Sequence, residues 1–106
     1  MKIEEVFARR RFIMLDGAMG TQLQLRGLTT EQKPELAAFI MPDVLTAVHR
    51  DYARAGADIL LANTFGANPR KLKGTGYTVQ QVIEASIACA RTAAQETGAL
   101  VALDIG

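Results

Sequence analysis

Three short apolar runs constrain the fold of this chain more than any other feature. Residues 11–15 (RFIML), 58–62 (DILLA) and 99–103 (ALVAL) are continuously apolar or nearly so, rather than alternating. Such runs are typical of parallel strands that are buried on both faces. Polar or glycine residues follow each run, where a buried strand would leave the sheet. The pattern therefore predicts three parallel strands.

The segments between these runs have helical patterns. Pro42 can begin a helix and Gly56 can end it, with apolar residues between them at helical spacing. Thr78 can cap another helix, which Gly98 ends just before the third run. A shorter helix is expected over residues 19–26. Because strands that alternate with helices form βαβ units, the predicted fold class is α/β with a parallel sheet.

Length and composition exclude several classes of protein. The chain has 106 residues, less than half of the roughly 250 that a (β/α)8 barrel takes. With 12 Lys and Arg against 11 Asp and Glu, it offers no electrostatic footprint for nucleic acid or an anionic membrane. No apolar stretch approaches the ~18 residues of a membrane-spanning helix, so a cytoplasmic protein is expected. Since nothing follows the third run to cover it, we expect a fragment of a longer α/β protein.

Polar and glycine residues at the ends of the predicted strands are the candidate site. Ligands of parallel α/β folds bind beyond the C-terminal ends of the strands. Asp16, Asn63 and Asp104 are therefore expected to converge on one rim, where carboxylates would bind an ammonium group or order a hydroxyl. Backbone N–H groups around Gly17 and Gly20 would approach a carboxylate or phosphate closely. The spacing of these glycines is not GxGxxG, which disfavours dinucleotide binding.

Structural roles are the alternatives for the same residues. Asp16 is placed to cap the helix that follows it, and Asn63 and Thr64 are common turn residues. The glycines serve equally well to turn the chain.

Other residues with reactive or charged side chains favour structural roles. The single cysteine, Cys89, excludes a disulfide framework and is expected to be a buried, unreactive thiol. His49 is expected to have a structural or surface role, and Met19 to pack in the interior. Lys71 and Lys73 have the pattern of a solvated helix end rather than a phosphate-binding loop.

A series of motifs spans nearly all of the chain in a consistent order. They are residues 15–21 (LDGAMGT), 34–36 (PEL), 42–44 (PDV), 49–52 (HRDY), 56–60 (GADIL), 63–68 (NTFGAN) and 102–106 (ALDIG). This series resembles the homocysteine S-methyltransferase family, and most closely its cobalamin-dependent methionine synthase branch, in the N-terminal homocysteine-binding domain. The resemblance implies a (β/α)8 TIM barrel, of which residues 1–106 hold the first three parallel strands with their helices.

The resemblance also implies an activity and its cofactors. Members of the family transfer a methyl group to the thiol of homocysteine, which a zinc ion activates, to give methionine. The zinc ligands are three cysteines from later strands, outside this segment, and methylcobalamin is one of the methyl donors that relatives use. The segment alone is therefore expected to be inactive and to need the missing C-terminal half of the barrel or a second copy. The alternative is a non-catalytic partial barrel that self-associates or pairs with another chain.

The family's motifs assign substrate-binding roles residue by residue. Its Asp-Gly after the first strand corresponds to Asp16 and Gly17, and its Asn-Thr-Phe after the second strand to residues 63–65. Asp16 is expected to bind the ammonium group of homocysteine, and N–H groups near Gly17 and Ala18 its carboxylate. The predicted substrate-binding residues are Asp16, Gly17, Ala18, Asn63, Thr64, Phe65 and Asp104.

Overall fold

The computed structural model describes residues 3–4 and 14–105. Residues 3–4 are helical. In chain order, the elements that follow are α1 (Gly20–Leu25), a short 3₁₀ helix (Pro34–Leu36), α2 (Ala37–Ile40), α3 (Pro42–Arg54), β1 (Ile59–Leu61), α4 (Pro69–Leu72), α5 (Val79–Ala94) and β2 (Leu100–Ala102). This alternation of helices and strands confirms the α/β class. None of the helices in the described part of the chain is long and apolar enough to cross a membrane.

The two strands form a parallel sheet. Residues 59–61 of β1 pair in register with residues 100–102 of β2. Both strands are three residues long, one residue shorter at each end than the apolar runs that predict them. Of the first predicted strand, residues 11–13 lie outside the described residues. Its last residue, Leu15, forms a single parallel bridge to Ile59, which places it beside β1.

The two long helices have the boundaries that their sequence signals indicate. α3 has a proline at its first position, and Gly56, with φ of 112°, follows its C-terminal end in the left-handed conformation that favours glycine. At the start of α5, Thr78 and Gln81 form a capping box, in which each side chain accepts a hydrogen bond from the backbone N–H of the other. These signals position both helices for packing against the sheet.

Two groups of buried side chains form much of the interior in the described part of the chain. Leu23, Leu45 and Val48 belong to a group between the helices, and Leu60 of β1 belongs to a second group beneath the sheet. Tyr52 of α3 packs against both groups. α3 and α5 lie against each other along this interior, so the strand ends and the loops after them are held by a packed helical layer.

Candidate functional site

An open pocket of about 390 Å³ lies at the C-terminal end of β1 and beside the segment that follows β2. The structure brings Asp16, Asn63 and Asp104 to this one pocket, although they are far apart in sequence. Most of the predicted substrate-binding residues line it, namely Asp16, Gly17, Ala18, Asn63, Phe65 and Asp104. This is the location at which parallel α/β folds bind ligands.

Thr64 lies beside this pocket rather than in its wall. Its hydroxyl accepts a hydrogen bond from the N–H of Asp104 at 3.0 Å and donates to the carbonyl oxygen of Asp104 at 2.8 Å. Thr64 is buried, and the two hydrogen bonds of its hydroxyl tie the segment after β1 to the segment after β2. Thr64 thus holds in place the backbone of Asp104, a pocket residue.

Asp16 has one carboxylate oxygen engaged and one free. Oδ2 accepts a hydrogen bond from the N–H of Leu61 at 3.1 Å, whereas Oδ1 is buried and has no hydrogen-bond partner among the described residues. Burial raises the pKa of Asp16, and the nearby charge of Asp104 adds to the rise, while backbone N–H groups oppose it.

Asp16 does not cap α1, because the capping position is Met19 and no side chain caps that helix. The capping alternative is therefore wrong.

The loop after Asp16 lies directly against α3. The hydroxyl of Tyr52 donates a hydrogen bond to the carbonyl oxygen of Ala18 at 2.7 Å. A Cβ atom added to Gly17 would lie 3.0 Å from both Cε1 and Oη of Tyr52, so this glycine permits the close approach. The sequence contains Tyr52 within a predicted helical stripe, but its contact with the loop depends on the tertiary fold.

Asn63 connects the rim to the 3₁₀ helix. Its Nδ2 donates to the carbonyl oxygen of Pro34 at 2.7 Å, which holds the next residue, Glu35, against the pocket. The side chain of Glu35 is only 15% exposed, and its Oε2 is buried without a hydrogen-bond partner in the described part of the chain. A Cβ atom on Gly66 would overlap Cγ of Glu35, so the loop after β1 and the Glu35 side chain are in close contact. Sequence reasoning gave Glu35 no role of its own.

Lys71 lies exposed in the last turn of α4, as predicted for a solvated helix end, and it also lines the pocket. Its Nζ lies 5.6 Å from the centroid of the Phe65 ring and 4.0 Å from Oε1 of Glu35, and its side chain is half exposed. The Asn68 side chain caps α4 by accepting from the N–H of Lys71 at 2.9 Å, and the short helix turns the lysine back over the rim. Lys73 is exposed, as predicted.

Two reactive side chains are buried away from the pocket. His49 is fully buried on α3, and burial lowers its pKa to about 4 because the charged imidazolium is poorly solvated there. Cys89 is buried, and its Sγ makes one weak contact with the carbonyl oxygen of Pro42 at 3.9 Å. Met19 both lines the pocket and packs against the interior. Structural roles for His49 and Cys89 agree with this placement.

The comparison with protein families identifies the chain. Residues 13–106 match the family model described as homocysteine S-methyltransferase. The chain belongs to the homocysteine S-methyltransferase family. The family resemblance of the sequence motifs is therefore confirmed.

Curated relatives from several organisms support this membership of the homocysteine S-methyltransferase family. The chain is 38% identical over 97 residues to methionine synthase from Mycobacterium tuberculosis, which is 84% of this chain and 8% of that protein. It is 37% identical over 93 residues to betaine–homocysteine S-methyltransferase 1 from Danio rerio, which is 82% of this chain and 23% of that protein. It is 31% identical over 90 residues to homocysteine S-methyltransferase from Escherichia coli, which is 80% of this chain and 29% of that protein. The chain thus spans less than a third of each of these relatives.

Solved structures show the same fold. The metallated form of the homocysteine methyltransferase MmuM from Escherichia coli matches the chain with a TM-score of 0.86 at 26% sequence identity. The match covers 98% of this chain and 41% of that chain. The apo form of the same protein matches with a TM-score of 0.69 at 28% identity, over 92% of this chain and 37% of that chain. The α/β fold of this chain is therefore similar to that of a homocysteine methyltransferase.

The described residues do not form a metal site. Within residues 3–4 and 14–105, no three His, Cys, Asp or Glu side chains are arranged so that they could hold a metal ion. The carboxylates of Asp16, Glu35 and Asp104 line one pocket but do not make such a group. The pocket wall is therefore charged and partly buried, without a metal-binding group among the described residues.

Proposed function

We propose that this chain is the N-terminal part of a homocysteine S-methyltransferase of the methionine synthase type. The whole enzyme transfers a methyl group to the thiol of homocysteine to give methionine, within a (β/α)8 barrel whose first three strands lie in residues 1–106. The observation that carries the proposal is the carboxylate of Asp16. In a chain of this family, Oδ1 of Asp16 lies in a pocket at the strand ends and is buried with no hydrogen-bond partner among the described residues.

The pocket's chemistry suits the amino acid end of homocysteine. The ammonium group binds the carboxylate of Asp16, where it supplies the missing partner of Oδ1 and favours the ionised form of a group whose pKa burial raises. The carboxylate of the substrate accepts hydrogen bonds from the N–H groups of Gly17 and Ala18, which donate to no other described residue. Asn63, Thr64, Phe65 and Asp104 shape the rest of the wall.

Zinc and the methyl donor are held by residues outside this segment. A bound zinc ion would supply the homocysteine sulfur as a thiolate, which is the form that attacks a methyl group. The described residues do not fit that ion. Methylcobalamin, or another donor, also binds outside residues 1–106. We therefore expect no methyl transfer by the isolated segment, and methionine formation by the purified 106-residue chain would contradict this expectation.

The substitution D16N in the whole protein that contains this chain tests the proposed function. A hydrogen bond to a charged group is worth about 1.5–3 kcal/mol, so the KM for homocysteine should rise roughly ten- to a hundredfold. The matched control is D43N, which makes the same chemical change at an exposed position of α3. Methionine formation by the unaltered protein, with an increase of KM in D16N alone, is the expected result. An unaltered protein that forms no methionine from homocysteine would overturn the proposal.

A second candidate function is pairing with another chain or a second copy, without catalysis. It follows from the exposed surface of the sheet at β2. All three residues of β2 are only partly buried, and Leu103 and Ile105 after it are 49% and 85% exposed. Open strand edges and apolar surface favour pairing. The chain would then pair with the missing C-terminal barrel half or with a second copy. Light scattering that gives a monomer at every concentration would contradict self-association.

The cytoplasmic location of the protein stays a prediction.

A further inference from the structure

Tyr52 connects the helical interior to the pocket loop, which we define as residues 16–20. Its ring packs against both groups of buried side chains, and its hydroxyl donates to the carbonyl oxygen of Ala18 at 2.7 Å. The ring edge occupies the space where a side chain on Gly17 would lie, with Cε1 and Oη both 3.0 Å from the added Cβ position. One side chain therefore fixes two consecutive residues of the loop.

The hydrogen bond also sets the direction of a peptide group. In a trans peptide the carbonyl and the N–H point to opposite sides, and the described residues contain no cis peptide bond. Because the carbonyl of Ala18 is turned towards α3, the N–H of Met19 is turned away from α3. Ala18 and Met19 both line the pocket, whereas Tyr52 is not one of its lining residues. The hydroxyl thus fixes the orientation of the Ala18–Met19 peptide in the pocket loop, although Tyr52 does not line the pocket.

We propose that Tyr52 is a positioning residue for the amino acid end of the substrate. This inference rests on the proposed function, because the pocket loop is where the ammonium and carboxylate groups of homocysteine bind. Tyr52 acts through Gly17 and Ala18 and touches no substrate atom. Loss of its hydroxyl leaves the packed ring in place but releases the Ala18 peptide. Affinity for the amino acid end then falls, whereas the chemistry at the distant sulfur does not change.

The test compares Y52F with Y77F in the whole protein that contains this chain. Tyr77 is a matched control, because its ring is also packed, against Phe39 with ring centroids 4.1 Å apart, and its hydroxyl has no hydrogen-bond partner among the described residues. A neutral hydrogen bond is worth roughly a two- to tenfold change in affinity. We expect Y52F to raise the KM for homocysteine by about that factor with kcat unchanged, and Y77F to change neither.

Two further readouts separate positioning from a general loss of stability. In the ligand-free protein, amide NMR signals of residues 17–20 should shift and exchange faster in Y52F but not in Y77F. Binding of propanethiol, a thiol without the ammonium and carboxylate groups, should be equal in Y52F and the unaltered protein. The variant G17A, which pushes a methyl group against the Tyr52 ring, should also raise the KM for homocysteine.

The outcomes distinguish this inference from the proposed function. If the unaltered protein neither binds homocysteine nor forms methionine, the proposed function fails. If it does both, and Y52F has the same KM and the same loop amide signals as Y77F, the positioning role fails. An equal loss of affinity for homocysteine and propanethiol, or a fall in kcat with KM unchanged, would also overturn it.

Discussion

In the part of the chain that the structure describes, two regions bury side-chain polar atoms without hydrogen-bond partners, and their surroundings differ. In the pocket wall these atoms are Oδ1 of Asp16 and Oε2 of Glu35. On the helices α3 and α5, which pack together, they are the ring nitrogens of His49 and the hydroxyl of Ser86, in residues with 0% exposure. The first region opens to a pocket and the second is closed.

The difference teaches what each set of atoms can do. A buried polar atom without a partner costs about 1–3 kcal/mol. In the pocket wall a ligand that enters can supply the missing partner, so part of the cost returns as binding affinity. Between the helices no ligand enters, so the cost remains in the folded state. Burial of His49 also disfavours its charged form, which makes stability depend on pH.

The largest effect is expected from His49 on acidification. The unfolded chain binds a proton at His49 near pH 6.5, whereas burial lowers the pKa of the folded state to about 4. Stability from this group is therefore complete above pH 6.5 and is lost as the pH falls from 6.5 towards 4. The difference between the pKa values of the unfolded and folded states corresponds to about 3 kcal/mol in the free energy of unfolding. Urea unfolding of the chain at pH 7, 5.5 and 4.5 measures it.

The substitution H49L provides the control for that measurement. Burial raises the pKa of Asp16, so protonation of this group favours the folded state and acts in the opposite direction. Because Asp16 titrates in both proteins, the difference between their pH profiles isolates His49. A profile for H49L as steep as that of the unaltered chain would show that His49 is not the source of the acid sensitivity.

A smaller loss of stability is expected from G66A. The added methyl group would overlap the side chain of Glu35, which lies between the 3₁₀ helix and the loop after β1. Overpacking of this kind typically costs about 1–3 kcal/mol, which thermal or urea unfolding detects. The matched control is G20A, since no described residue outside its own helix and chain neighbours lies within 4 Å of the Cβ position there. The loss of stability caused by G66A should be smaller when Glu35 is also truncated, in the double variant G66A/E35A. Equal stability of G66A and G20A would contradict the close contact.

The smallest effect is expected from E35Q on ligand affinity. Glu35 adds negative charge to a wall that binds an ammonium group, but Lys71, 4.0 Å away, already offsets part of that charge. We therefore expect the Kd for homocysteine to rise by about two- to fivefold, less than for D16N. The control is E31Q, the same change at an exposed position. Calorimetric titration distinguishes the two, and a larger effect for E35Q than for D16N would reverse the assigned ranking of the carboxylates.

Much of the fold was predictable from local signals. Pro42 and Thr78 mark helix starts through backbone geometry and capping, which depend on nearby residues alone. Asp16 and Asn63 were predictable as rim residues because parallel strands present their C-terminal ends at one edge. The end residues of the second run, Asp58 and Ala62, still form backbone hydrogen bonds with Leu100 and Ala102, but the paired register of the strands covers only residues 59–61 and 100–102.

The remaining site residues depend on contacts between distant segments. Tyr52 meets Ala18 across 34 positions, and Asn63 draws Pro34 towards the rim across 29. Lys71 reaches the pocket only because α4 turns it over Phe65. The burial of His49 had a sequence signal, since it lies four residues after Leu45 on the apolar stripe of α3. A stripe indicates which face is buried but not whether a partner is present.

The most direct test of the central claim is a calorimetric cycle with two ligands and two proteins. Homocysteine and 4-sulfanylbutanoate, which lacks only the ammonium group, are titrated into the unaltered whole protein and into D16N. If the ammonium group completes the buried carboxylate of Asp16, its removal should weaken binding roughly ten- to a hundredfold in the unaltered protein and very little in D16N. Equal losses in both proteins would contradict the account.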